Sequence, residues 1–378
     1  MYVKRKKLKL KLKKKVISFL KIIGCFFIAF LIGWFLYSKQ LNKYTSMGYS
    51  KEASKKILFS DSKDYVLSVG ENKTLNAAFE SDELKEKYLN NYSKIKYQNH
   101  KNLIKNINLL LDKGYSNSDV SIILEHGNDQ EVYEFSKRER VKYLEEFYQY
   151  SYAKLQNYDR YIAYTDLTGE DEKTTVIHVN LNMDKEAYVE TTLVTEFSEK
   201  MLINKYRCLN EEYVPDNLVD IPSQYTNGEE MKTSQVSLSA LTQLIESAKL
   251  DGMQIVVNSA YRSYQDQIDI SDFYRKWYGD KYVNNYIAKP GFSEHQTGLA
   301  FDLGSATVDV FAESEEYKWM QENAYKYGFI MRFYKKAEMI TGFKSEPWHY
   351  RYVGKDIAKY IHENNITFEE YYVMFLDK

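Results

Sequence analysis

Ser293-Glu294-His295-Gln296-Thr297-Gly298-Leu299-Ala300-Phe301-Asp302 joins a dense polar cluster to a strand pattern. From Leu299 to Leu303 the residues alternate. Leu299, Phe301 and Leu303 point one way, Ala300 and Asp302 the other, as in a strand with one apolar face. Gly298 stands where the chain must bend, because His295 and Asp302 are seven residues apart and would face opposite ways on an unbroken strand. A second block, Glu346-Pro347-Trp348-His349, opens another alternating run to Val353. There His349 and Arg351 lie opposite Trp348 and Tyr350.

The neighbouring sequence supplies helices. Leu238, Leu241, Ile245 and Ala248 form a helical stripe that stops at Gly252. Ile255, Val256 and Val257 predict a short buried strand. Ser263 and Asp266 form a capping box, opening a helix with Ile270, Phe273, Tyr274 and Trp277 on one face. Tyr317, Met320, Ala324 and Tyr327 mark another helix, ended by Gly328. Together these predict an α+β domain with a small, mainly antiparallel sheet flanked by helices, over residues 210–378. Pro215, Pro222 and Asn227-Gly228 mark its start.

Upstream, residues 38–209 read as a stalk and a mostly helical module of unknown role. Residues 103–111 predict a helix ended by Gly114, and Ser116 to Asp119 cap a second one. Residues 138–165 read as one longer helix, and residues 175–181 as a strand with Ile177, Val179 and Leu181 on one face.

Residues 16–37 are almost wholly apolar. As a helix they span about 33 Å at ~1.5 Å per residue, enough for a ~30 Å hydrocarbon core. Trp34 and Tyr37 suit an interfacial belt. The first fifteen positions hold Lys4, Arg5, Lys6, Lys7, Lys9, Lys11, Lys13, Lys14 and Lys15. Positive residues remain inside, so residues 1–15 are expected as a cytoplasmic tail, 16–37 as a single transmembrane anchor, and the rest as extracytoplasmic. No small-residue cleavage site follows, which argues against a removed signal peptide.

Overall charge is balanced, with 52 Lys+Arg against 53 Asp+Glu, which excludes a general nucleic-acid binder. Cys25 lies in the apolar span and Cys208 stands alone, so no cysteine joins a metal site.

Of the six histidines, at positions 100, 126, 178, 295, 349 and 362, only His295 and His349 sit in polar clusters. With Asp302 they form the donor set of a hydrolytic zinc site: three His or carboxylate ligands with one position left open. Glu346, held extended before Pro347, is placed to act as general base and then general acid. Arg262, just before a helix N-terminus, can stabilise an oxyanion or clamp a carboxylate. Arg351 suits a structural ion pair or a place in the site.

Three separated blocks carry a resemblance: Ser259-Ala260-Tyr261-Arg262-Ser263, Pro290 through Asp302, and Glu346 through Gly354. They resemble the VanY-type D-alanyl-D-alanine carboxypeptidases, zinc peptidases related to lysostaphin-like and hedgehog domains. Glu-Pro-Trp-His replaces the His-x-His pair of the lysostaphin-like branch. The resemblance implies His295, Asp302 and His349 as Zn2+ ligands, Glu346 as catalytic base and Arg262 as stabiliser. It further implies Gln267 and Ser293 in the substrate pocket. Phe292 departs from the small or polar residue, or histidine, often found at its position. The implied reaction is release of the C-terminal D-alanine from peptidoglycan stem peptides. The alternatives are an L,D-carboxypeptidase acting on tetrapeptide stems and a non-catalytic, zinc-containing wall-binding module.

Overall fold

The computed structural model describes residues 2–138, 141 and 143–377. For residues 2–12 it describes the backbone only, so the basic side chains Lys4 to Lys11 lie outside it. Two compact units divide the chain, Met1–Glu145 and Glu146–Lys378.

In the first unit, helix α1 (Tyr2–Thr45) carries the apolar span, with Phe26, Phe30 and Trp34 exposed. The stretch Lys13–Thr45 is long and apolar enough to cross a membrane. Short helices follow. Leu103–Asp112 and Asn117–His126 form as expected, the latter opened by a capping box in which Ser116 and Asp119 bond each other's backbone. Ile57, Leu75, Ile107 and Val120 are fully buried.

Two stretches depart from the sequence reading. Residues 175–181 are not a strand: Glu172–Asn180 is a helix, α2. Asp171 caps it by accepting from the Thr174 amide, and five consecutive residues, Thr175 to Val179, are buried. Alternation of β-branched residues suggested a sheet, but the cap and burial on several sides of the helix prevail. His178 therefore sits on a helix, its Nδ1 2.8 Å from Glu170 and 3.1 Å from the Tyr164 hydroxyl.

The helix expected over 138–165 is broken into Leu144–Tyr148 and Tyr158–Thr168, and part of that range (139, 140 and 142) lies outside the described residues. The buried Tyr161 hydroxyl accepts from the Lys154 amide at 2.9 Å, satisfying backbone that a continuous helix would have paired internally.

The compact unit runs from Glu146, and the start near 210 expected for the catalytic domain falls inside it. Ile177, Leu181 and Leu202 share one core with Ile330, Val353, Ile357 and Phe368. The proline-marked stretch packs within the unit, and Pro215 and Ile221 are buried.

Four antiparallel strands form the main sheet: β1 (Ile255–Ser259), β2 (Ala300–Ser305), β3 (Phe329–Phe333) and β4 (Glu346–Tyr352), in the order β1-β2-β4-β3. Phe301, Leu303, Phe329 and Tyr350 pack against Leu241, Leu244 and Ile245 of helix α3 (Gln235–Leu250), and against Met320 of α4 (Glu315–Asn323) in the same core. Alternation then sends Asp302, Arg332, His349 and Arg351 to the opposite face.

Between β1 and β2 runs a long helical segment, Tyr264–Tyr286, with the predicted Ser263–Asp266 capping box and a break at Gly279. Phe273 and Trp277 on it are exposed, so its aromatic stripe is not a core face.

Candidate active site

The polar face of the sheet holds three potential metal donors. His295 sits in a 3-10 turn, Glu294–Thr297, whose N-cap Ser293 accepts from the His295 amide. Gly298 ends that turn in the left-handed region, φ 69°. There the chain reverses into β2 and presents Asp302. In the antiparallel register Asp302 pairs with His349 of β4. Asp302 Oδ1 stands 3.3 Å from His295 Nε2 and 3.3 Å from His349 Nδ1. One donor atom from each residue falls within 4.8 Å of the others.

The far nitrogen of each ring is engaged. His295 Nδ1 lies 2.6 Å from the Ala260 carbonyl. A carbonyl only accepts, so Nδ1 carries the proton and Nε2 presents its lone pair. His349 Nε2 lies 3.2 Å from Glu294 Oε2, which leaves Nδ1 facing Asp302. This is the outer support that metal-binding imidazoles have. His295 Nε2 and Asp302 Oδ1 are buried with no hydrogen-bond partner among the described residues. Buried polar atoms are rarely left so, and a cation among the three donors would satisfy them.

Burial, reinforced by Arg262, pushes the His295 imidazole down to about 4, which keeps it neutral. Burial also disfavours the charged form of His349, but the carboxylates of Asp302 and Glu294 beside the ring outweigh it and raise it to about 9. Burial opposes ionisation of Asp302, yet His295, His349 and Arg262 hold it well below the usual carboxylate range. Glu346 differs: burial lifts it to about 8, with His349 opposing and Asp302 adding. Its Oε2 is 3.9 Å from His349 Nδ1, beside the donors rather than among them.

Arg262 follows β1. Its Nη1 donates to Gln267 Oε1 at 3.2 Å and its Nη2 to Asp302 Oδ2 at 3.4 Å, while Nε has no partner among the described residues. Gln267 is fixed in turn by donating to the Ala288 carbonyl at 2.8 Å. All seven sequence-selected residues line one cavity of about 970 Å³. Ser293 is the least available of them, because its hydroxyl caps the turn.

Sequence reasoning passed over two groups. One is the buried set Glu294, Arg332 and Glu369. Glu294 stood inside the quoted motif, whereas Glu369 had no motif around it beyond a helix-capping box. The other is a strap at 184–208. Its Ile203 and Asn204 line the cavity, and its Tyr188 packs edge-on against Phe292, ring centroids 4.9 Å apart. The unusual Phe292 is thus matched by an aromatic partner from outside the recognised blocks.

The family model described as VanY, D-alanyl-D-alanine carboxypeptidase, matches residues 230–355. YodJ of Bacillus subtilis (strain 168) is 39% identical over 179 residues, which are 45% of this chain and 66% of YodJ. The chain thus spans just under two thirds of that relative. The bifunctional D-Ala-D-Ala dipeptidase and D-Ala-D-Ala carboxypeptidase VanXYC of Enterococcus gallinarum is 30% identical over 178 residues, 45% of this chain and 92% of VanXYC. Among solved structures, the LdcB LD-carboxypeptidase is 37% identical, with 50% of this chain and 92% of LdcB covered at a TM-score of 0.44. The matched segment contains Arg262, the donor triad and Glu346, and one relative is covered over nearly its whole length; the chain belongs to the VanY family of D-alanyl-D-alanine carboxypeptidases.

Proposed function

We propose that the chain is a zinc-dependent carboxypeptidase that removes the terminal D-alanine from peptidoglycan stem peptides, with His295, Asp302 and His349 as zinc ligands. The observation that carries this reading is the convergence of three donor atoms within 4.8 Å, each imidazole held from behind, beside a buried carboxyl that is not a donor.

When bound, zinc supplies Lewis acidity that acidifies water and polarises a carbonyl. Glu346 acts as general base. Burial raises its carboxyl to about 8 in the metal-free chain; the charge of a bound cation would bring that down, leaving a carboxylate that can accept a proton near neutral pH and return it to the leaving amine. The unpaired Nε–H of Arg262 is free to meet the oxyanion or the substrate carboxylate, and Gln267 holds the guanidinium in place. Gln267 and Ser293 help shape the pocket. The D,D reading over L,D is supported by the family description and by VanXYC. The apolar helix would anchor residues 38–378 on the outer side of the membrane, with residues 1–15 in the cytoplasm and residues 210–378 as the catalytic domain.

The test is mass spectrometry of products from purified pentapeptide and tetrapeptide stems. Loss of D-alanine from pentapeptide supports the reading. Cleavage of tetrapeptide alone overturns the D,D assignment, and binding without release overturns the enzyme reading.

A further inference from the structure

Behind the donors lies a buried ionic cluster that the reaction does not use directly. Glu294 is its hub. Its Oε1 accepts from Arg332 Nε at 2.9 Å and Arg351 Nη1 at 3.2 Å, and its Oε2 faces His349 Nε2. Arg332 continues outward, with Nη1 and Nη2 donating to the two oxygens of Glu369 at 2.9 and 2.6 Å. Arg351 is tied off separately, its Nη2 donating to the Met201 carbonyl at 2.8 Å. Side-chain exposure is 2% or less for all four charged residues. Two carboxylates balance two guanidiniums.

Glu369 belongs to a short helix, Phe368–Tyr371, opened by a capping box between Thr367 and Glu370. It lies beyond the family-matched segment, which ends at residue 355. A chain of charge-assisted bonds nevertheless runs from it through Arg332 and Glu294 to the ring of His349. Such bonds are strong and directional in a site shielded from water. If Glu369 were neutral, Arg332 would keep its charge and lose its bidentate partner. Glu294 would then be drawn more strongly toward the guanidinium and would support the imidazole less.

We propose that Glu369 is a positioning residue for His349, acting through Arg332 and Glu294, so that the C-terminal helix forms part of the metal site's support. This rests on His349 being a zinc donor.

The test is zinc affinity of the full chain in detergent, measured by competition with a chromophoric chelator. Glu369→Gln is expected to weaken zinc about tenfold, as loss of outer-shell support does, and Glu294→Gln to weaken it at least as much. Because the path runs through Glu294, adding Glu369→Gln to Glu294→Gln should weaken zinc little further. A residue that only stabilises the fold would leave zinc affinity of the folded protein unchanged. Wild-type affinity in Glu369→Gln, or full additivity in the double variant, overturns the proposal. Should Glu369→Gln fail to fold, Glu369→Asp is measured, since its shorter reach breaks one of the two bonds to Arg332. Weaker zinc there supports the proposal and unchanged zinc overturns it. A wild-type chain that binds no zinc removes the zinc reading and this inference with it.

Discussion

Asp302 and His349 face each other as a cross-strand pair on adjacent antiparallel strands, with Asp302 Oδ1 3.3 Å from His349 Nδ1. A register slip of one residue would turn each side chain to the other face of the sheet. The packing of Phe301 and Tyr350 into the core, itself a cross-strand pair, therefore fixes the donors as well as the fold.

Asp302→Asn should keep the side chain's shape while removing the charge that balances the cation. Zinc affinity is expected to fall by more than about 100-fold, the upper end of what outer-shell changes cause. Competition with a chelator measures it, and circular dichroism should show the fold retained.

Glu346→Ala should separate chemistry from binding. Its carboxylate stands beside the donors, so zinc should bind as in the wild type. D-alanine release should fall by about 10² to 10⁴-fold, the usual contribution of a general acid–base group.

Arg262→Lys tests whether a fork or a point charge is needed. Arg262 reaches Gln267 and Asp302 at once and keeps Nε free, which an ammonium cannot reproduce. We expect kcat/KM to fall about 10²-fold, by analogy with loss of an oxyanion donor.

The grouping of His295, Asp302 and His349 was legible in the sequence because Asp302 and His349 lie on short strands with clean alternation and His295 lies in the turn before a glycine with one physical use. The bend at Gly298 has φ 69°, as the facing of His295 and Asp302 demanded. The support behind them was not legible. Arg332 lies on β3, a strand the periodicity did not mark, and Glu369 meets it only through tertiary packing. At the helix Glu172–Asn180 the alternation of Ile177, Val179 and Leu181 points to a strand, because its cap, Asp171, lies outside the alternating run.

Gly298→Ala should strain that bend. A Cβ there would lie 3.0 Å from the Ser234 amide nitrogen and 3.1 Å from Leu218 Cδ2, on a backbone that disfavours side chains. Stability is expected to fall by more than about 1 kcal/mol, read from urea denaturation of the full chain. Zinc affinity should fall with it, because the turn carries His295.

Zinc uptake should release protons. In the metal-free chain His349 is raised to about 9, the neighbouring carboxylates of Asp302 and Glu294 outweighing burial, so at pH 7 it is protonated and must lose a proton to donate. Apparent zinc affinity should rise about tenfold per pH unit for this one proton, and this dependence should fade above about pH 9. Calorimetry in two buffers of different ionisation enthalpy counts the protons. In the metal-free chain the sign for stability is opposite: the raised pKa stabilises the fold fully below about pH 6.5, and that contribution is lost as pH rises through about 9.

Two imidazoles and one carboxylate, from a turn and two neighbouring strands, should share one zinc ion. Zinc-edge X-ray absorption of the full chain in detergent tests it most directly. The expected result is one zinc per chain with two imidazole nitrogens at about 2.0–2.1 Å and oxygen donors completing the shell, and loss of one imidazole in His349→Ala. A zinc shell without two imidazoles, or one unchanged in His349→Ala, would contradict it.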